Sequence, residues 1–300
     1  MRLSSDPGAR LDRALLSLEG LSVGDGFGER FFAPESVALL EARIPPPGPW
    51  RTTDDTEMAL GIVEVLARTG KVVREELARV FGERYVRDPW RGYGGAAHRI
   101  LQAIADGMPW RGAAAAAFGG LGSMGNGAAM RVAPLGAYFA DDLGLVLDEA
   151  RASAEVTHAH PEGQAGAIAV AVAAAWVVRD RTAAPASLLA ATAEHVPPGE
   201  TRQGIVRALE IAAGTPIGEV AAILGNGSGA IAADTVPLSL WCAAHHLGDF
   251  EEALWTTAAA GGDCDTTCAI VGGLVALATG AAGIPDSWRG AREPLAVAVR

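Results

Sequence analysis

Apolar residues recur along most of this chain every three or four positions, the spacing that gathers them on one face of a helix. Leu11, Leu15, Leu18 and Leu21 set the pattern, and Met58, Ile62, Val65 and Leu66 repeat it. Further helices are predicted over 71–86, 96–104, 162–178, 230–247 and 251–260, with helices joined by Pro-containing turns between 179 and 229. No alternating strand-length segments bounded by hairpin turns stand out. The predicted fold class is therefore all-α, with a single domain over 1–300. The last apolar run, Cys268 to Ala278, is rich in Gly and Ala, so neighbours can approach it closely, which places it at the centre.

The breaks between helices carry the remaining information. Gly24-Asp25-Gly26-Phe27-Gly28 follows a helical pattern, whereas a dinucleotide-binding fingerprint needs a preceding strand. It reads as a helix end passing into a tight loop, with Asp25 supporting a ligand group and Glu29 and Glu35 in the loop or just beyond. Ile44 to Trp50 contains four prolines and reads as a rigid extended connector. That connector and the 24–35 loop are the candidate lids. Gly119 to Arg131 is the most glycine-dense stretch and suits an anion cradle of backbone N–H groups for a diphosphate or ribose. It lacks the Gly-Lys-Ser/Thr ending of a P-loop, which argues against an NTPase. Gly225 to Gly229 reads as a flexible turn.

Composition narrows the function classes. A net charge of -11 with no block of like charge argues against a nucleic-acid-binding surface. Lys71 is the only lysine, and with so much Ala, Gly and Arg this suggests a GC-rich bacterial genome. Cys242, Cys264 and Cys268 form no CxxC motif and cannot all pair, which fits a reducing cytoplasm. Met1 to Arg13 is polar, without a signal-peptide apolar region. Ala165 to Val178 is short of the ~20 residues a membrane span needs, and reads as a buried helix of a soluble protein.

Two acidic clusters carry the candidate chemistry. Gly261-Gly262-Asp263-Cys264-Asp265-Thr266-Thr267 puts two carboxylates and two hydroxyls just before an apolar helix, and hard cations such as Mg²⁺ and Mn²⁺ take such oxygen ligands. A helix cap is the competing reading. Thr53-Asp54-Asp55-Thr56 supplies four consecutive oxygen-bearing residues at a second helix start, more than the capping box suggested by Asp54 and Glu57 requires. In Thr157-His158-Ala159-His160-Pro161, one histidine is expected to contact substrate and the other to pack or cap, since no third zinc ligand appears at a familiar spacing.

Taken in order, these blocks resemble the ADP-ribosylglycohydrolase family, which includes dinitrogenase reductase-activating glycohydrolases and crystallin J1 proteins. The resemblance spans nearly the whole chain through residues 24–28, 53–58, 125–131, 157–161 and 261–266. It implies a compact orthogonal multi-helix bundle with a central binuclear Mg²⁺ or Mn²⁺ site, held by Thr53, Asp54 and Asp55 from one helix start and by Asp263, Asp265 and Thr266 from another. Gly122, Ser123, Gly125, Asn126 and Gly127, with His158, would bind an ADP-ribose conjugate, and Tyr93 or Trp90 would stack on its adenine. Members that cleave serine-linked ADP-ribose usually carry a glutamate further along the loop, where this chain reads Glu29-Arg30-Phe31-Phe32. Glu29, with Asp55, is the candidate catalytic carboxylate, and its alternative is a surface position. The implied activity is metal-dependent hydrolysis of the N- or O-glycosidic bond between ADP-ribose and a protein side chain or small acceptor. The competing functions are a non-catalytic ADP-ribose binder of crystallin type and a two-metal phosphoester hydrolase.

Overall fold

The computed structural model describes residues 3–296, so the ends of the predicted 1–300 unit lie outside the described residues. The chain begins with α1 (Pro7–Glu29), α2 (Val37–Ala42), α3 (Asp54–Thr69), α4 (Arg74–Arg87), α5 (Gly95–Ala105) and α6 (Trp110–Ala116). It continues through α7 (Ala133–Tyr138), α8 (Leu143–Glu155), α9 (Pro161–Arg179), α10 (Pro185–His195) and α11 (Glu200–Glu210). It ends with α12 (Ile217–Leu224), α13 (Ala232–His245), α14 (Phe250–Ala259), α15 (Cys264–Thr279) and α16 (Asp286–Ala291). No strand is present among the described residues, and the fold is an all-α bundle around one main core.

The core is built on the pair α1 and α15. A Cβ placed on Gly20 would lie 2.3 Å from the Gly272 carbonyl oxygen, one on Gly24 2.1 Å from that of Cys268, and one on Gly28 2.2 Å from that of Cys264. Rising numbers on α1 meet falling numbers on α15, four residues at a time, so the helices are antiparallel and pack along their i, i+4 rows. Only glycine permits backbones this close, because a side chain on any of the three would force the helices apart. This corrects the tight-loop reading of 24–28. The segment is helical and buried, and its glycines serve a close approach along one helix face instead of a turn. Residues 24–29 thus belong to a packed helix and drop out of the 24–35 lid candidate.

The other expectations divide in the same way. The run ending at Ala278 is indeed the central element, with Cys264 and every residue from Thr266 to Leu277 buried. α9 is long and apolar enough to cross a membrane by length and composition, but most of it is buried in the protein core. The predicted helix start at Lys71 moves to Arg74, because Val73 is extended and Thr69 Oγ1 ties the preceding turn to Lys71. The proline-rich connector is extended as expected. It is pinned at its end, where Trp50 donates to Ala291 O at 2.6 Å, Glu293 N–H returns to Trp50 O at 2.9 Å, and the Trp50 indole donates to Pro46 O at 2.9 Å. Trp50 then packs with Phe27 and Trp288 in an aromatic cluster.

Candidate active site

The antiparallel pairing decides where the chemistry falls. It sets the C-terminal turns of α1, which carry Asp25, against the N-terminus of α15, which carries Asp263 and Asp265. α3 starts at the same place. Asp25 accepts hydrogen bonds from Thr53 N (2.9 Å), Thr53 Oγ1 (2.9 Å), Thr56 N (3.2 Å) and Thr56 Oγ1. A buried carboxylate from another helix thus satisfies two of the orphan N–H groups at the head of α3. The capping-box reading of Asp54 and Glu57 is thereby corrected. Thr53 is the N-cap, Asp25 assists it from α1, and Glu57 instead pairs with the buried Arg84 at 2.9 Å. Asp54 and Asp55 are left uncommitted to capping.

One oxygen each from Asp25, Asp55 and Asp265 lie within 4.8 Å of one another. Removal from water is the main cause that raises all three carboxyls and Asp54, and the neighbouring carboxylates add to it for Asp54, Asp55 and Asp265. Asp25 is pushed up to about 6 and Asp54 to about 8. Asp55 Oδ1 is buried without a hydrogen-bond partner. A buried oxygen with no donor, in a ring of mutually repelling carboxylates, fits a hard divalent cation. Asp25 is less free to coordinate, because the four hydrogen bonds it accepts occupy its lone pairs.

Asp263 is held from behind. Its N–H donates to Asn226 O at 3.0 Å, and its Oδ2 accepts from Asn126 Nδ2 at 2.6 Å. Gly262, at φ 72°, lets this turn pass against Asn226, where a Cβ would sit 2.2 Å from the Asn226 carbonyl oxygen. The 225–229 segment, expected as a flexible turn, is therefore a fixed support for Asp263, and Asn226 Nδ2 anchors it to Ala260 O at 3.1 Å.

These carboxylates form one side of a cavity of about 530 Å³. Asp54, Asp55, Asp263, Asp265 and Thr266 line it, and Gly122, Ser123, Gly125, Asn126, Gly127 and His158 line it as well. Ile100, Leu101, Phe118 and Leu121 supply apolar lining. Thr53 stands behind this surface, its hydroxyl 2.9 Å from Asp25 Oδ1 and 3.0 Å from Asp55 Oδ2. Glu29 is half-buried at the end of α1 and is outside the lining. Trp90 is 79% exposed and Tyr93 is buried, and neither lines the cavity. His160 caps α9 by accepting from Glu162 N at 3.1 Å, the capping role expected of one histidine of the pair, while His158 lines the cavity.

Arg131 is the only arginine or lysine on the lining among the described residues, and its one signal in the sequence is its position at the end of the 125–131 glycine motif. The Gly229–Ile231 wall follows from the Gly125–Ile231 bridge and leaves no local trace in the sequence.

The fold and the site together define an all-α protein with a carboxylate centre suited to hard cations, set beside a glycine-rich cradle. A family model for ADP-ribosylglycohydrolase matches residues 6–298, and the chain belongs to that family. Human ADP-ribosylhydrolase ARH3 is 28% identical over 317 residues, covering 91% of this chain and 86% of that protein. An uncharacterized protein of Archaeoglobus fulgidus is 32% identical over 292 residues, covering 91% of this chain and 85% of its own. A solved structure described as an ADP-ribosylglycohydrolase-related protein complex superposes with a TM-score of 0.65 at 28% identity, covering 95% of this chain and 93% of that one. Membership places the chain among hydrolases of ADP-ribosyl glycosidic bonds.

Proposed function

We propose that this protein hydrolyses the glycosidic bond between ADP-ribose and a protein side chain or small acceptor, with two divalent cations, Mg²⁺ or Mn²⁺, at the carboxylate centre. The observation that carries this reading is the convergence of the α3 and α15 N-termini beside the 122–127 cradle in one cavity. Thr53, Asp54, Asp55, Asp263, Asp265 and Thr266 would hold the cations. When bound, the cations supply positive charge for ribose hydroxyls and for a water whose proton they acidify.

The protein's own residues do the rest. The cradle and His158 bind the diphosphate side, and the apolar lining takes the base and excludes water. Asn126 and the Asn226 turn fix Asp263, and Asp25 fixes Thr53 at the head of α3. Asp55, which lines the cavity, is the carboxylate assigned to take a proton from water as an oxocarbenium-like transition state forms.

The test is release of free ADP-ribose from arginine-linked and serine-linked ADP-ribosyl peptides, with Mg²⁺, with Mn²⁺ and with chelator. Metal-dependent release from one linkage is expected. Binding of ADP-ribose without release would make the protein a binder, and phosphate release instead would point to a phosphoesterase.

A further inference from the structure

Arg131 is a guanidinium buried to 1% exposure, and among the described residues no carboxylate lies within salt-bridge distance of it. Its Cζ lies 4.5 Å from the Phe81 ring centroid, and Nη1 donates to Met58 Sδ at 3.4 Å. Nη2 donates to Ser153 O at 3.2 Å and to Thr157 Oγ1 at 2.9 Å. Thr157 Oγ1 is in turn 2.7 Å from His158 Nδ1. A buried cation kept without a carboxylate partner costs stability, so its contacts invite a functional account.

The hydrogens along this chain are fixed by elimination. Arginine only donates, so Thr157 Oγ1 is an acceptor toward Arg131. A hydroxyl can accept twice, but its own hydrogen still needs an acceptor. Among the described residues the only one within hydrogen-bond reach is His158 Nδ1. Nδ1 therefore accepts, and the imidazole proton sits on Nε2. Burial, with the Arg131 charge adding to it, pushes the imidazole down to about 3, so the ring stays neutral. Nε2 itself has no hydrogen-bond partner among the described residues, and it faces the cradle. A Cβ built on Gly125 or on Gly127 would lie 3.5 Å from it, and one on Gly163 2.9 Å from Cδ2. Three glycine backbones hold the ring in place.

We propose that Arg131 and Thr157 are positioning residues that lock His158 as its Nε2–H tautomer, so that it offers one N–H donor to a ligand oxygen in the cradle. An Nδ1–H tautomer would instead aim a lone pair at that oxygen and repel it. The identity of the oxygen, on the diphosphate of ADP-ribose, rests on the proposed function; the tautomer does not.

The experiment is long-range ¹H–¹⁵N correlation of the full chain labelled with ¹⁵N-histidine, assigned with His158→Gln, without ligand at neutral pH. The expected wild-type spectrum shows His158 with a bare Nδ1 and a protonated Nε2. Thr157→Val should lose that single-tautomer signature and Thr157→Ser should restore it, a rescue that packing alone would not give. Titration with ADP-ribose and Mg²⁺ should then show about tenfold weaker binding for Thr157→Val and recovery in Thr157→Ser. A wild-type His158 that is Nδ1–H or doubly protonated overturns the proposal, whatever the variants do. Binding unchanged by Thr157→Val despite an altered tautomer overturns its functional half. Wild-type protein that shows the tautomer yet binds no ADP-ribose would uphold the lock and count against the proposed function instead.

Discussion

Thr53 gives Asp25 both its backbone N–H and its hydroxyl, each at 2.9 Å, so a residue of the first helix caps the helix that carries Asp54 and Asp55. Asp25→Ala leaves buried donors on Thr53 and Thr56 unpaired. The expected cost is about 2–4 kcal/mol, read by urea denaturation, together with weaker Mg²⁺ binding by calorimetry. Unchanged stability would show that α3 does not depend on this cap.

Gly24→Ala should be as damaging as many large core truncations, although it adds one methyl. Its Cβ would meet the Cys268 carbonyl oxygen at 2.1 Å, and separating α1 from α15 is expected to cost about 3 kcal/mol or more. Gly218→Ala in α12 is the control, because its Cβ meets nothing within 4 Å. That variant should be neutral or gain about 0.5–1 kcal/mol by helix propensity. Equal melting temperatures for the two would refute the close-approach account.

Carboxyls held above their ordinary range make the metal-free protein sensitive to pH. Asp25 (to about 6) and Asp54 (to about 8) start from 3.8, so the folded state binds their protons more tightly than the unfolded chain does. Their contribution to stability is full below about pH 4 and is lost as the pH rises through their folded values. In chelator, the melting temperature should fall between about pH 5 and pH 8.5. Mg²⁺ should reduce that fall, since a bound cation takes the place of the protons. A flat chelator profile would contradict the raised carboxyls.

Asp55→Asn separates stability from function at the same centre. Removing one of several crowded negative charges should raise the melting temperature in chelator and abolish the rise that Mg²⁺ produces in the wild type. Asn126→Ala removes a cradle residue and frees Asp263 Oδ2 from its 2.6 Å donor. An activity loss of about 10–100-fold is expected, with little change in melting temperature.

The acidic clusters, the glycine-rich 122–127 stretch and the His158/His160 pair were legible as parts of one site because each is a local run of chemically similar groups. The role of Gly20, Gly24 and Gly28 was not, because a stripe at four-residue spacing and a loop glycine cluster look alike until the facing helix is known. Asp25 was legible as an acid near the site and illegible as a cap, since its partners lie on another helix. The 225–229 turn reads as flexible for the same reason: the contacts that fix it, from Asp263 and Ala260, are some thirty-five residues away.

The glycine contacts between α1 and α15 also bear on how the protein is made. α1 leaves a ribosome well before α15, the helix its backbone is cut to fit. Until α15 arrives, the Gly20, Gly24 and Gly28 face of α1 has no partner and Asp25 no α15 carboxylate beside it. Neither half of the chain can assemble the carboxylate centre alone, so a nascent chain or a fragment truncated before α15 lacks it.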